Sequence, residues 1–154
     1  MGVEIERKFL VNEDLLPEAR SKTAMKQAYL LAAPERTVRI RVSGDSAWLT
    51  IKGGLTGFSR PEFEYEIPVQ DALEMMKLSI YPPVEKVRHV IYEDGKKWEV
   101  DFFEGANKGL VLAELELQDE NEAVDLPSWV KKEVTGEIQY HNSRLASHPF
   151  SGWM

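Results

Sequence analysis

Hydrophobic and polar residues alternate along most of this chain, which is the pattern of β-strands with one apolar face and one polar face. The opening stretch VEIERKFLV sets its charged residues against Val3, Ile5 and Phe9, because the side chains of a strand point alternately to opposite faces. Most of seven further strand-like stretches alternate in the same way, which predicts strands over residues 3–11, 26–31, 38–42, 48–52, 62–67, 85–92, 97–103 and 110–118. Eight strands commonly close a small antiparallel barrel.

Helical patterns are fewer and shorter than strand patterns. Residues 71–78 begin with Asp71, a good capping residue, and space Leu73, Met76 and Leu78 toward one apolar side. Further short helices are predicted over residues 127–132 and 140–146, with a turn of helix over 14–19. The predicted fold is therefore mainly β, of the α+β class: a closed eight-stranded antiparallel β-barrel with a few flanking helices.

The size and composition of the chain limit the kinds of protein that it can be. A chain of 154 residues is expected to form one domain over residues 1–154. It has no apolar run long enough for a membrane span, no signal-peptide pattern and no cysteine, so we expect a cytoplasmic protein, a monomer or a homodimer. The net charge of −7 argues against broad nucleic-acid binding. We expect the tail, residues 147–154, to be disordered or to plug one end of the barrel.

Charged residues gather on the polar faces of the strands, and their signs are segregated by strand. Arg39 lies with Arg41, and Lys86 with Arg88, whereas other strands carry paired glutamates. For any one strand, a solvated face with cross-strand ion pairs explains the pattern. The opposite faces, however, are so apolar and aromatic that they must pack against something. If the sheet closes, the charged faces line its interior.

An interior lined by both signs of charge would be costly without an occupant, because buried charges need partners. Lysine and arginine bind phosphoryl oxygens, and clustered carboxylates supply the oxygen ligands that Mg²⁺ or Mn²⁺ require. The pattern therefore favours a polyanion together with a divalent metal. The bases concerned are Lys8, Arg39, Arg41, Lys52, Lys86 and Arg88, and the acids are Glu4, Glu6, Glu62, Glu64, Glu99, Asp101, Glu114 and Glu116.

Several short motifs follow one another along the chain in the same order as in a known protein family. Glu4, Glu6 and Lys8 form the pattern ExExK, and it is followed by RIR (39–41), LTIK (49–52), EFE (62–64), KVR (86–88), VDFF (100–103), LAELE (112–116), EVTG (133–136) and YHNSRLA (140–146). Together these motifs resemble the CYTH superfamily, the triphosphate tunnel metalloenzymes, over nearly the whole chain. ExExK alone is a weak motif, but the ordered series is specific.

The resemblance implies an eight-stranded tunnel that binds a triphosphate and needs a divalent metal, Mg²⁺ or Mn²⁺, for turnover. Carried over by position, it implies a metal site of Glu4, Glu6, Glu114 and Glu116, with Asp101 as a further ligand and Glu62 and Glu64 in support. It implies a cationic cradle for the triphosphate made of Lys8, Arg39, Arg41, Lys52, Lys86 and Arg88. Lys86 and Glu6 are the expected catalytic residues, Lys86 either assisting the departing phosphate or acting only by its charge.

Members of this superfamily act on different triphosphates, and the compact chain is most similar to the small bacterial tripolyphosphatases. We therefore expect metal-dependent hydrolysis of inorganic tripolyphosphate to pyrophosphate and phosphate, with no nucleic-acid or membrane partner. The alternatives are another triphosphatase, acting on thiamine triphosphate or a nucleoside triphosphate, a class IV adenylate cyclase, or a noncatalytic polyphosphate-binding module. A structural or surface role is expected for His89, His141 and His148, Tyr29 is expected either to pack or to line the tunnel, and Arg7 has no assigned role.

Overall fold

The computed structural model describes residues 2–153, which form nine strands and two α-helices. The helices are α1 (Val69–Met76) and α2 (Asn142–Ser147). The strands are β1 (Val3–Val11), β2 (Ser21–Ala33), β3 (Arg36–Ser43), β4 (Ser46–Gly53), β5 (Ser59–Ile67), β6 (Val84–Glu93), β7 (Lys96–Phe103), β8 (Val111–Glu116) and β9 (Val130–Glu133).

The first eight strands close into an antiparallel barrel, which confirms the predicted mainly β architecture. The sheet runs in the order β5-β4-β3-β2-β6-β7-β8-β1, and pairing between β5 and β1 closes it. One edge of β1 pairs with β8 over Glu6 to Leu10. The other edge pairs first with β5, over Val3 to Ile5, and then with β9 through Phe9 and Val11. Two strands therefore share the second edge of β1.

The ninth strand corrects the prediction of a helix over residues 127–132. Beyond Ile5, β1 leaves β5, and its outer backbone groups need other partners. Val130–Glu133 supplies them, flanked by hydrogen bonds from Val134 N to Lys8 O (2.8 Å) and from Asn12 N to Trp129 O (2.8 Å). Free backbone groups of a neighbouring strand thus decide the conformation of a segment whose own sequence is ambiguous.

The helices differ from the predictions in detail. Helix α1 begins after Pro68, so Asp71 lies in its first turn and does not cap it. It buries Ala72 and Met76, whereas Leu73 and Leu78 are exposed, so the predicted apolar side was right for Met76 and wrong for the two leucines. Small Ala72 lets the helix lie close to the barrel, which fixes the face that is buried. Helix α2 confirms the helix predicted over 140–146, but over residues 14–19 only a 3₁₀ turn, Glu13–Leu15, is present.

The apolar core lies outside the barrel wall, between the strands and the segments that cover them. Phe9 and Trp98 pack with ring centroids 5.6 Å apart, and Trp129 meets Trp98 edge to face at 5.1 Å. All three side chains are almost completely buried. The outward orientation predicted for Phe9 is therefore confirmed, and the alternate residues of β1 face the interior.

The described part of the tail packs on the outside of the barrel. Phe150–Gly152 forms a 3₁₀ turn, and Trp153 packs against the rings of Tyr140 and Phe150 at 5.3 and 5.1 Å. The amide of Phe150 donates to Asn107 Oδ1 at 2.8 Å. No helix within residues 2–153 is both long and apolar enough to cross a membrane.

Candidate active site

The register of the barrel brings the inward charges of separate strands together. Lys8 of β1 lies opposite Glu114 of β8, which in turn lies opposite Glu99 of β7. On the other side Lys52 of β4 lies opposite Glu62 of β5. The charged side chains surround a cavity of about 230 Å³, and every site residue predicted from the sequence lines it except Asp101: Glu4, Glu6, Lys8, Arg39, Arg41, Lys52, Glu62, Glu64, Lys86, Arg88, Glu114 and Glu116.

Asp101 organises one wall of the cavity. It is completely buried, and its two oxygens are both engaged by cations. Oδ2 accepts from Lys86 Nζ at 2.7 Å and from Arg88 Nη2 at 2.9 Å, while Oδ1 accepts from Arg88 Nε at 2.7 Å. Arg88 also donates to Glu114 Oε1 at 3.2 Å. This carboxylate holds Lys86 and Arg88 in place from behind.

Burial and the closeness of other cations disfavour the charged forms of the bases in this wall. Removal from water, together with the nearby Arg88 and Arg41, lowers the pKa of Lys86 to about 7 although Asp101 opposes the shift. Burial followed by the charges of Arg39 and Arg88 lowers the pKa of Arg41 to about 10. Within the described residues, Arg39 Nε is buried without a hydrogen-bond partner. Buried cations with disfavoured charge and an unpartnered donor would be stabilised by a bound anion.

The opposite wall gathers carboxylates. Glu4 accepts from Lys52 Nζ at 3.0 Å and lies 3.8 Å from Arg60 Nε, and Glu62 lies 3.5 Å from Lys52. Burial, reinforced by the neighbouring Glu114 and Glu4, raises the pKa of Glu6 well above its ordinary value. The pKa of Glu116 is raised for the same two reasons, burial first and then other carboxylates. Such repulsion is relieved by a bound cation.

The acidic wall fits a divalent cation by its chemistry, although it is not arranged around one. In the part of the chain that the structure describes, no three acidic or histidine groups converge as metal ligands. Glu4 is drawn to Lys52 and Arg60, and Glu114 to Arg88. Clustered carboxylate oxygens that resist ionisation are nonetheless the donors that hard divalent cations prefer. To bind a cation these side chains would have to exchange their lysine and arginine partners.

Several residues that line the cavity or contact its lining were not predicted from the sequence. Arg60 lies just before the glutamates of β5, and Gln27 lies in β2 with the same parity as Tyr29. Gln27 Oε1 accepts from Arg41 Nε at 3.1 Å, a contact that its alternation within β2 could have indicated. Tyr29, for which two roles were open, is buried, lines the cavity and also packs in an apolar cluster.

The C-terminal segment contributes three more unpredicted residues, His141, Asn142 and Ser143. His141, for which a structural or surface role was expected, thus lines the cavity. Its pKa is lowered to about 4 by burial and by the charges of Lys8, Arg60 and Lys52. His89 packs on the ring of Phe102 at 4.2 Å, as a structural residue should. No periodic signal marks these positions, because the segment crosses the cavity as a turn and a short helix.

The fold and its lining define a class of protein: a closed β-tunnel whose interior carries both cations and clustered carboxylates. The chain belongs to the CYTH domain family, whose profile matches residues 2–147. It is 44% identical to an inorganic triphosphatase of Acetivibrio thermocellus over 99% of both chains. It is 33% identical to an inorganic triphosphatase of Nitrosomonas europaea over 93% of this chain and 96% of that protein.

The fold of a solved relative agrees with these similarities. A crystal structure of an inorganic triphosphatase superimposes with a TM-score of 0.66 and 31% identity, covering 92% of this chain and 96% of the other. The similarity therefore extends over the tunnel as a whole and is not confined to one motif.

Proposed function

We propose that this protein is a divalent-metal-dependent triphosphatase that hydrolyses inorganic tripolyphosphate to pyrophosphate and phosphate. The observation that carries the proposal is the buried cavity lined by six predicted cations and a facing set of carboxylates. The names of the two similar proteins, both inorganic triphosphatases, support the choice of substrate.

The cations form the proposed cradle for the substrate. Arg39 and Lys86 are almost completely buried, so that only a ligand inside the tunnel can reach them. The unpartnered Nε of Arg39 would donate to a phosphate oxygen, and guanidinium groups suit phosphate because they bind it at two points. The residues proposed to bind the triphosphate are Lys8, Arg39, Arg41, Lys52, Lys86 and Arg88.

The acidic wall is the proposed place for Mg²⁺ or Mn²⁺. The residues that would hold the metal are Glu4, Glu6, Glu62, Glu64, Glu114 and Glu116, all of which line the cavity. Asp101 stays a predicted ligand from the sequence, but its contacts favour another role, the support of Lys86 and Arg88. A bound divalent ion would neutralise phosphate charge and lower the pKa of a water molecule.

In the proposed reaction a water molecule attacks the terminal phosphorus in line with the bond that breaks. A P–O bond forms to the water oxygen, which gives up a proton to the solvent, while the bridging P–O bond breaks and pyrophosphate leaves with the bridging oxygen and its electron pair. The arginines and lysines stabilise the charge that spreads over the phosphoryl oxygens in the transition state. Lys86 would either donate a proton to the departing group or act through its charge alone.

The experiment is a phosphate-release assay on purified protein. Tripolyphosphate, thiamine triphosphate and ATP are each supplied with Mg²⁺, with Mn²⁺ or with chelator, from about pH 7 to about pH 9. We expect phosphate from tripolyphosphate with either metal, and none with chelator. No release from tripolyphosphate under any condition would refute the proposal, and formation of cyclic AMP from ATP would instead identify a cyclase.

A further inference from the structure

Asn142, the first residue of α2, places one amide oxygen among the cations of the tunnel. Its Oδ1 accepts from Lys86 Nζ at 3.0 Å and from Gln27 Nε2 at 2.7 Å. The side chain lines the same cavity as the proposed substrate-binding residues. It comes from a short C-terminal helix, and so it joins the barrel interior to an element outside the eight strands.

Two fixed acceptors determine the orientation of the Lys86 amino group. A protonated lysine has three N–H donors in a tetrahedral arrangement. Asp101 Oδ2, at 2.7 Å, and Asn142 Oδ1, at 3.0 Å, take two of these three positions. The ring of Phe103 has its centroid 5.5 Å from Nζ, beyond hydrogen-bonding range. The third position is therefore left for a ligand in the cavity.

The same amide is connected to a second cation. Gln27 is completely buried in β2 and donates to Asn142 through Nε2. Its Oε1 accepts from Arg41 Nε at 3.1 Å. The orientation of the Gln27 amide is thus set at both ends, by a donor on β3 and an acceptor on α2. One asparagine oxygen consequently determines where Lys86 points and, through Gln27, where Arg41 points.

We propose that Asn142 is a positioning residue, which holds Lys86 and Arg41 in the orientation that receives the triphosphate. The proposal rests on the function proposed above, since it needs a triphosphate in the tunnel. Asn142 acts through the two cations and not by its own contact with the substrate. Its substitution should therefore matter less when Lys86 is absent, because only the effect on Arg41 through Gln27 then remains.

The kinetic test compares two substitutions of opposite chemistry. Asn142→Leu removes the acceptor and should lower kcat by about tenfold, with a smaller change in KM, because misplaced charge stabilises the transition state less. Asn142→Asp keeps an oxygen acceptor for both donors and should retain kcat within about threefold. It should raise KM, since it adds a negative charge near phosphate. Asn121→Leu, at an exposed position, is the matched control and should change neither value.

A double-mutant cycle on binding separates positioning from direct contact. The Kd for tripolyphosphate is measured by calorimetry in chelator for the wild type, Asn142→Leu, Lys86→Met and the double variant. We expect Asn142→Leu to weaken binding about three- to tenfold in the wild type and clearly less beside Lys86→Met, where only its effect on Arg41 remains. Asn142→Ala replaces Asn142→Leu in the cycle if thermal melts show that the leucine variant does not fold.

The outcomes are distinguishable. An equal loss of affinity in both backgrounds would show that Asn142 touches the ligand or only packs, and it would overturn the proposal. Equal kcat values for Asn142→Leu and the wild type would also overturn the proposal. Binding without hydrolysis by the wild type would refute the proposed function alone, and the cycle would still decide the role of Asn142. A wild type that neither binds tripolyphosphate in chelator nor hydrolyses it with metal would refute both.

Discussion

At the scale of single residues, the surroundings of Glu6 in the tunnel change how readily it loses its proton. Burial and the neighbouring Glu114 and Glu4 raise its pKa, so that it keeps a proton where an isolated glutamate would lose it. Because burial and the neighbouring carboxylates disfavour its charged form, this carboxyl group should cost little to replace with an amide of the same shape. The amide, however, lacks the negative charge with which Glu6 would hold a cation.

We therefore expect Glu6→Gln to separate stability from activity. The melting temperature should change little, because the amide matches the protonated acid in size. The rate of phosphate release should fall at least about 100-fold, in line with the loss of a metal ligand. Both are measured on one preparation, with Glu66→Gln, an exposed glutamate of β5, as the control. Unchanged activity would remove Glu6 from the proposed metal site.

At the scale of elements, β9 is attached to the barrel by side chains as well as by backbone pairing. Arg7, which had no assigned role, points outward from β1 and donates to Glu133 through Nε at 2.8 Å and Nη2 at 2.7 Å. These hydrogen bonds from Arg7, with one from Thr135, lower the pKa of Glu133. The pair therefore joins the shared edge of β1 to the strand that covers it.

Arg7→Met should destabilise the protein by about 1 kcal/mol near neutral pH, a modest amount because both side chains are partly exposed to water. Glu133 has a lowered pKa when folded, so its contribution is present above the unfolded value of about 4.3 and is lost as the pH falls through the folded value. The difference from the wild type, measured by urea unfolding, should thus shrink on acidification.

Two further variants check this interpretation. Arg7→Lys keeps the charge but not the two-point geometry, and should lie between the wild type and Arg7→Met. Glu133→Gln should remove the same increment of stability together with its pH dependence. A difference between Arg7→Met and the wild type that stays constant with pH would mean that Arg7 stabilises by packing, for instance over the ring of Phe9.

At the scale of the whole molecule, the net charge is −7, yet the interior carries cations that can bind an anion. Lys86, with a pKa of about 7, is mostly neutral at a pH one unit higher. Bound triphosphate favours the charged form of a neighbouring lysine and so raises its pKa. Binding of the anion is therefore coupled to the uptake of protons.

This coupling can be measured by calorimetry of tripolyphosphate binding in chelator at about pH 8, in buffers of different ionisation enthalpy. We expect net proton uptake by the wild type and a smaller uptake by Lys86→Met. Lys97→Met, an exposed lysine of β7, should behave like the wild type. Proton release, or an uptake that Lys86→Met does not change, would contradict the protonation state assigned to Lys86.

Alternation along the strands predicts which side chains share a face, because a period of two assigns every second residue to the same face, and closure of the sheet turns the charged face inward. It placed Glu6, Arg39 and Lys86 in one cavity. It could not predict Asn142, which enters from a helix, or the strand at Val130–Glu133, which depends on the free edge of β1. Long-range register and chain path, which no local pattern encodes, determine both features.

The shared edge of β1 also has a consequence for the order in which the protein can be made. A ribosome produces β1 before any of its partners, which lie around residues 59–61, 112–116 and 130–133. Closure must therefore wait for nearly the whole polypeptide, and such distant contacts are slow to form. Until then the emerging chain has strands but no enclosed space, so any ligand of the tunnel can assist only the last stage of folding.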